Sequence, residues 1–99
     1  MSTLQLWNDY QANEVAADEK YKGKELSVSG VVESIDKDYS DDVHIHIRTP
    51  NEFMGVDATL KDSETQKAAA LLKGERIVVL CRGKGAVMGS PMLADCLIQ

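Results

Sequence analysis

Apolar side chains in the first twenty residues recur at spacings of three and four. Leu4, Trp7 and Val15 follow this spacing, which is typical of one face of an amphipathic helix. Hydroxyl side chains stand just before it, where they can cap a first turn. Gly23 follows a basic stretch that suits a last turn. The pattern predicts one helix over residues 4–19.

The period changes to two at residue 25. Leu26 and Val28 alternate with serines, as in a strand with one buried face. Gly30 interrupts the alternation, and Val32 begins it again in a shifted phase. A strand that changes phase around a glycine bends or carries a bulge, so we predict a long, bent first strand.

The stretch VHIHIRT, residues 43–49, alternates most regularly. Its three aliphatic residues predict the buried face of a second strand, and His44, His46 and Arg48 then point towards solvent. The breaker TPNE follows, and residues 53–58 are predicted as a short third strand.

A second helix is predicted after the third strand. Asp62 or Ser63 can cap its start, and Gln66 stands where a capping box requires it. Residues 68–72 supply an apolar face, and Gly74 ends the helix.

Two strands complete the predicted fold. They cover residues 76–81 and 92–99, joined by a glycine-rich hairpin loop at 83–91. This order describes a mainly β protein: a five-stranded Greek-key barrel of the OB-fold class, with an N-terminal helix and a helix between strands three and four. A generic α+β sandwich is the alternative. Residues 1–99 are expected to form one domain, with the barrel over about 25–98.

The charge balance is acidic. The chain has 99 residues and a formal net charge of −5, with a pI of about 4.9. Proteins that bind duplex nucleic acid normally carry a basic surface, because neutralising phosphate supplies most of their affinity. The stretch DKDYSDD adds four aspartates between the first two strands, which would repel phosphate over roughly 8 Å. The charge therefore favours a protein partner.

The stretch YQANEVAADEKYKGKELSVSGVVESIDKD resembles the opening of the tRNA-anticodon-binding-like (tRNA_anti-like) family of small bacterial OB-fold proteins. In that family an N-x-x-A-A-D-x-K-Y-K-G-K phrase leads into a strand of the form V-x-G-x-V. The matching positions are Asn13, Ala16, Ala17, Asp18, Lys20, Tyr21, Lys22, Gly23, Lys24, Val28, Gly30 and Val32. LLKGERIVVL and LADCLI resemble later parts of the family. The resemblance implies an OB-fold and nucleic-acid binding. Many members are secreted lipoproteins, and their fourth strand often has glycine where this chain has Cys81.

An OB-fold usually binds ligands on the face of strands two and three and on the flanking loops. Here these positions offer cationic, aromatic and flexible side chains. The predicted ligand-binding set is His44, His46, Arg48, Phe53, Arg82, Lys84 and Met88. The lysines of the family phrase, Lys20, Lys22 and Lys24, are candidate phosphate contacts. The alternative is that this phrase is scaffold, with its alanines packing a helix on the barrel and Tyr21 covering the barrel end.

Other chemistries have weaker support. His44 and His46 share a strand face and could approach one metal ion, but Asp41 or Asp57 would have to converge on them. The interpretation we favour is that both are solvated polar residues. No nucleophile–base arrangement or phosphate-binding loop is indicated. We predict no enzyme activity, no cofactor and no metal.

Cys81 and Cys96 lack the paired spacing of zinc sites, and no secretory leader is visible. Buried reduced thiols are predicted, with a cross-strand bridge as the alternative. No apolar run reaches the roughly 18 residues of a membrane span, so we expect a cytoplasmic protein without a membrane partner.

The predicted function is that of a non-catalytic binding module. The family resemblance favours weak binding of single-stranded nucleic acid. The acidic charge favours a protein partner, with an inhibitor or decoy of a nucleic-acid-binding protein as one form of it.

Overall fold

The computed structural model describes residues 1–99, which form helices packed on a β-barrel. The helices are α1 (Thr3–Ala12), α2 (Glu14–Tyr21) and α3 (Thr65–Ala69), with a 3-10 turn (Asp62–Glu64) before α3. The strands are β1 (Glu25–Lys37), β2 (Val43–Ile47), β3 (Val56–Leu60), β4 (Arg76–Val87) and β5 (Ser90–Ile98). None of the helices has both the length and the apolar character needed to cross a membrane.

The barrel is closed. Its strand order is β1-β2-β3-β5-β4, and β4 pairs back onto β1. All neighbours are antiparallel except β3 and β5, which run parallel. The side chains of Val43, Ile45 and Ile47 point into the barrel, as their alternation predicted. This topology confirms the predicted OB-fold.

The bend predicted in β1 is a bulge. Val32 pairs with Ile47 and Ser34 with His46, so Glu33 is the extra residue. Three residues earlier, a side chain at Gly30 would collide with Thr3 and Ile47. The glycine therefore lets α1 pack closely on the barrel.

The prediction of a single N-terminal helix was wrong. Asn13 has an extended backbone and separates α1 from α2. Its side chain accepts a hydrogen bond from the Ala16 N–H, and its own N–H donates to the Asp9 carbonyl. One residue thus ends α1 and caps α2, because asparagine competes well for backbone groups at helix ends.

The predicted bounds of β3 were also wrong. Phe53 lies in the loop before the strand, where its N–H donates to the Asn51 side chain. Thr49 in turn donates to the Met54 carbonyl. These local side-chain hydrogen bonds hold residues 49–54 in turns and delay the strand.

The helix predicted after β3 is much shorter than expected. Neither the 3-10 turn nor α3 has a side-chain cap, so the predicted capping box does not form. Of the predicted apolar face, only Ala68 is buried. Glu64 is buried instead, and it accepts a hydrogen bond from the Ile98 N–H at 2.7 Å.

The glycine-rich segment is strand rather than loop. β4 continues to Val87, and only Met88 and Gly89 make the turn. Both have positive φ, 51° and 86°, as a two-residue type I′ hairpin turn requires. Arg82 and Lys84, predicted near or on a mobile loop, therefore lie within the strand β4.

The two cysteines form a disulfide between β4 and β5, so the prediction of reduced thiols was wrong. Cys81 and Cys96 face each other inside the barrel, next to the Leu80–Leu97 pair. Asp95, with φ of 54°, makes the irregular step that turns Cys96 inward. The sequence separation of 15 between the two cysteines does not indicate how β4 and β5 pair, so the disulfide could not be predicted from it.

Candidate ligand-binding surfaces

His44 and His46 lie on the outer face of β2, and Arg48 follows directly after the strand ends. The alternation of the sequence predicted this arrangement. The imidazole rings of the two histidines stack at 6.5 Å between centroids. The three side chains nevertheless have different surroundings, because different carboxylates meet each of them.

His44 is held between two aspartates. Its Nε2 lies 2.7 Å from Asp38 Oδ2, and its Nδ1 lies 2.9 Å from Asp57 Oδ1. Partial burial alone would lower the pKa of His44. The hydrogen bonds and negative charges of Asp38 and Asp57 outweigh it and raise the pKa above the ordinary 6.5. The hydrogen bond from His44 in turn lowers the pKa of Asp38 below 3.8.

This aspartate clamp also bears on the metal hypothesis. Asp57 does converge on His44, as a metal site would have required, but as a hydrogen-bond partner. Both ring nitrogens of His44 are engaged, so neither is free to ligate. No group of three or more histidine, cysteine, aspartate or glutamate side chains is placed to hold a metal ion.

His46 and Arg48 line a groove between β1 and the β2–β3 loop. The groove has a volume of 490 Å³ and runs between residues 33–36 and 48–55. Arg48 Nε donates to Glu33 Oε2 at 2.6 Å, and His46 Nε2 lies 3.5 Å from Asp36 Oδ2. Arg48 is the only permanently charged cation that lines the groove, and Glu33 already neutralises it.

Apolar side chains stand on the β2–β3 loop, which lines this groove, and on the neighbouring β4–β5 turn. We call this set the tip: Phe53, Met54, Val87 and Met88. Phe53 is 88% exposed and Met88 is 92% exposed, with Val87 beside it. A Cβ built on Gly89 would lie 3.4 Å from Met54 Cε, so the β4–β5 turn and the β2–β3 loop are neighbours. The structure thus brings Phe53 and Met88 to one end of the barrel.

The remaining predicted cations gather elsewhere, along the segment that joins α2 to β1. This segment runs beside β4: Gly23 N–H donates to the Gly83 carbonyl at 2.8 Å, and Gly83 N–H donates to the Lys24 carbonyl at 2.9 Å. Arg82 Nη1 donates to the Gly23 carbonyl at 3.1 Å. A Cβ on Gly85 would lie 3.6 Å from the Lys22 side chain.

These contacts create a basic ribbon, by which we mean Lys22, Lys24, Arg82 and Lys84. All four side chains are exposed. Glu25, opposite Arg82 in the strand register, reduces the ribbon's positive charge.

Lys20 does not belong to the ribbon. Its Nζ lies 3.4 Å from Asp9 Oδ2, and it sits over the ring of Tyr21. The hydrogen bond from Tyr21, with help from Lys20, lowers the pKa of Asp9. Tyr10 donates to Asp18 in the same interface, so these residues join α1 to α2. The scaffold interpretation therefore fits Lys20 and Tyr21. It also fits Lys24 in part, because Lys24 Nζ donates to the Glu19 carbonyl at 2.8 Å, but it does not account for Lys22.

Sequence reasoning missed the partners that define these surfaces. Asp57 was considered only as a metal ligand, and Asp38 was not considered as a partner of His44. The sequence does not show that both meet this histidine, because Asp38 reaches it from the β1–β2 loop and Asp57 through the pairing of β2 with β3. Gly83 carried a weak signal, as a glycine inside an alternating strand often marks a close backbone approach.

The family comparison agrees with the fold. The model of the tRNA_anti-like family matches residues 1–97, nearly the whole chain. The chain belongs to the tRNA_anti-like family. The sequence matches no curated protein sequence.

Solved structures similar to this tRNA_anti-like chain share its fold at low sequence identity. One is a "putative nucleic acid-binding lipoprotein" from Klebsiella pneumoniae subsp. pneumoniae, with a TM-score of 0.74 and 17% identity over 100% of this chain and 91% of that one. Another is the OBody NL8 bound to hen egg-white lysozyme, with a TM-score of 0.55 and 20% identity over 77% of this chain and 93% of that one. RecG bound to a three-way DNA junction has a TM-score of 0.53 and 15% identity over 79% of this chain and 11% of RecG.

Proposed function

We propose that this protein is a non-catalytic OB-fold module that binds single-stranded nucleic acid weakly, through the basic ribbon. The observation that carries this proposal is the pairing of residues 22–24 with β4, which puts two lysines from one segment beside Arg82 and Lys84. Phosphate groups are bound by exposed cations arranged along a line.

The usual binding face of the fold is less suited to phosphate. Arg48 is paired with Glu33, and His44 is held between Asp38 and Asp57. A phosphate on that face would have to compete with these carboxylates for each cation. On the ribbon, Lys22 and Lys84 have no ion-pair partner. The ribbon is therefore the better phosphate site within an acidic protein.

The comparisons support this function. The chain belongs to the tRNA_anti-like family. Of the similar solved structures, the Klebsiella lipoprotein is called nucleic acid-binding and RecG is bound to DNA. We expect weak affinity, because the net charge of −5 repels a polyanion outside the ribbon.

Fluorescence anisotropy tests the proposal. Labelled single-stranded DNA and RNA of about 12 nucleotides, within the range one OB-fold covers, are titrated with the protein at low salt. The ribbon variant Lys22→Glu/Lys84→Glu should abolish binding. Lys37→Glu/Lys73→Glu changes the charge equally at exposed positions elsewhere and should weaken binding only slightly.

A third variant separates the two faces. His46→Ala/Arg48→Ala removes the basic side chains from the groove and should leave oligonucleotide binding nearly unchanged. Loss of binding in that variant, with retention in the ribbon variant, would place nucleic acid on β2 and contradict the ribbon. A flat titration of the unaltered protein would contradict the function itself.

A further inference from the structure

The groove and the tip form a second exposed surface that the nucleic-acid function does not use. It combines a 490 Å³ groove with the apolar side chains of Phe53, Met54 and Met88. Large apolar side chains that are exposed together beside a groove are found at protein-interaction sites more often than on the rest of a protein surface.

The charges along the groove indicate the chemistry of an occupant. Glu33 and Arg48 neutralise each other at 2.6 Å. Glu52 has no ion-pair partner, and Asp36 has only His46, at 3.5 Å. An occupant therefore meets two carboxylates that lack a strong cationic partner, close to an open aromatic ring.

We propose that this surface binds an extended, arginine-bearing segment of a partner protein. The guanidinium group lies between the carboxylates of Asp36 and Glu52 and the exposed ring of Phe53. Arginine suits such a site because its planar head donates to carboxylates and also stacks on aromatic rings. An apolar side chain next to the arginine packs on Met54 and Met88, whose flexible thioethers adapt to it.

The same charges disfavour other occupants. The carboxylates of the groove repel phosphate, and the groove offers no converging set of metal ligands. Because the basic ribbon is formed by other residues, this interaction is independent of the nucleic-acid function.

A pair of synthetic peptides tests the proposal with the intact protein. Both carry fluorescein and alternate leucine with a second residue, which is arginine in one peptide and its uncharged isostere citrulline in the other. Binding is measured by fluorescence anisotropy. We expect saturable binding of the arginine peptide and roughly tenfold or more weaker binding of the citrulline peptide, because a charged hydrogen bond is lost.

Protein variants locate the site. Asp36→Asn/Glu52→Gln keeps the shape of the groove and should weaken the arginine peptide roughly tenfold while leaving the citrulline peptide unchanged. Glu14→Gln/Asp62→Asn makes the same charge change elsewhere and should have little effect. Phe53→Ala should weaken both peptides, since it removes the aromatic surface.

Backbone amide shifts in NMR titrations complete the test. The arginine peptide should shift signals of Phe53, Gly55 and Met88, and leave those of Lys22 and Lys84 in place. Equal binding of the two peptides would overturn the proposal. Unchanged affinity of Asp36→Asn/Glu52→Gln, shifts confined to the ribbon, or the absence of saturable binding would each overturn it too. None of these outcomes alters the oligonucleotide test, which depends on different residues.

Discussion

Gly83 allows the segment after α2 to lie against β4. A Cβ at this position would collide with the carbonyl oxygen of Tyr21, which is backbone and cannot rotate away. The parallel bridge between Lys22 and Gly83 depends on this close approach. The basic ribbon therefore requires glycine at position 83.

Gly83→Ala should lower the free energy of unfolding by about 2 kcal/mol or more, because overpacking against fixed backbone forces the segment away. It should also weaken oligonucleotide binding in whatever fraction remains folded. Urea unfolding measures the first effect and anisotropy the second. Ser27→Ala, an exposed position on β1, is the control and should change neither.

His44 makes stability depend on pH. Its pKa is raised in the folded protein, so it stabilises the fold when protonated. That contribution is complete below the unfolded pKa near 6.5 and is lost as the pH rises through the folded pKa. Asp38 acts in the opposite direction: its lowered pKa stabilises the fold above 3.8, and this contribution is lost as the pH falls through the folded pKa.

We therefore expect the free energy of unfolding to fall as the pH is raised from the unfolded pKa near 6.5 through the higher folded pKa of His44. His44→Gln cannot be protonated and should show a flatter profile over that interval. Urea titrations at a series of pH values measure both proteins. A wild-type profile as flat as that of the variant would show that the aspartate clamp is not linked to stability.

At the scale of elements, the strands were predicted better than the helices. β1 and β2 follow from alternation because one face of each is buried and the other is not. The break at Asn13 was missed because the apolar spacing continues across it, while the cap depends on one side-chain hydrogen bond. The length of β4 was missed because its glycines resemble a loop, although Gly83 and Gly85 are needed for contact with α2 and Lys22.

The candidate site shows the same division. Which residues lie on the outer face of β2 was readable from the sequence. The hydrogen bonds with their partners were not, because Glu33 and Asp57 meet the outer face of β2 through barrel pairing and Asp38 meets it through the conformation of the β1–β2 loop. The ribbon was hidden for the same reason, since its lysines and Arg82 are far apart along the chain.

The disulfide between β4 and β5 gives an element-scale prediction. It closes a loop with a sequence separation of 15, for which the stabilisation is about 3 kcal/mol. A strong reductant should therefore lower the Tm by roughly 12–24 °C. The Cys81→Ala/Cys96→Ala variant should melt at one temperature with or without reductant. Insensitivity of the unaltered protein would mean that the bond does not stabilise the fold.

The bond also bears on location. Structural disulfides are typical of oxidising compartments and rare in the cytoplasm. The cytoplasmic location stays a prediction, and the disulfide favours an oxidising compartment instead. Alkylation of free thiols in intact host cells, followed by mass spectrometry, distinguishes the two.

At the scale of the whole molecule, charge is divided between surfaces. The basic ribbon lies along β4 and the segment that joins α2 to β1, whereas the groove beside β2 is lined by carboxylates. The net charge of −5 hides this division, which is why composition alone argued against nucleic acid.

The salt dependence of oligonucleotide binding should reveal how many phosphates the ribbon contacts. For two to four phosphates on a single strand, log K against log salt should have a slope of roughly −1.4 to −2.8. Lys84→Gln should reduce that slope by about 0.7, because one contact is lost. A slope near zero would mean that phosphate contacts do not drive the binding.

The parallel pairing of β3 with β5 closes the barrel, and it joins the middle of the chain to its final strand. During synthesis, β3 cannot acquire that neighbour until β5 has left the ribosome. Until then the edges of β3 and β4 are open to pairing with other chains. We therefore expect the barrel to close only once β5 is available, in roughly milliseconds to seconds as non-local β-barrels do, and these edges to need protection by chaperones until then.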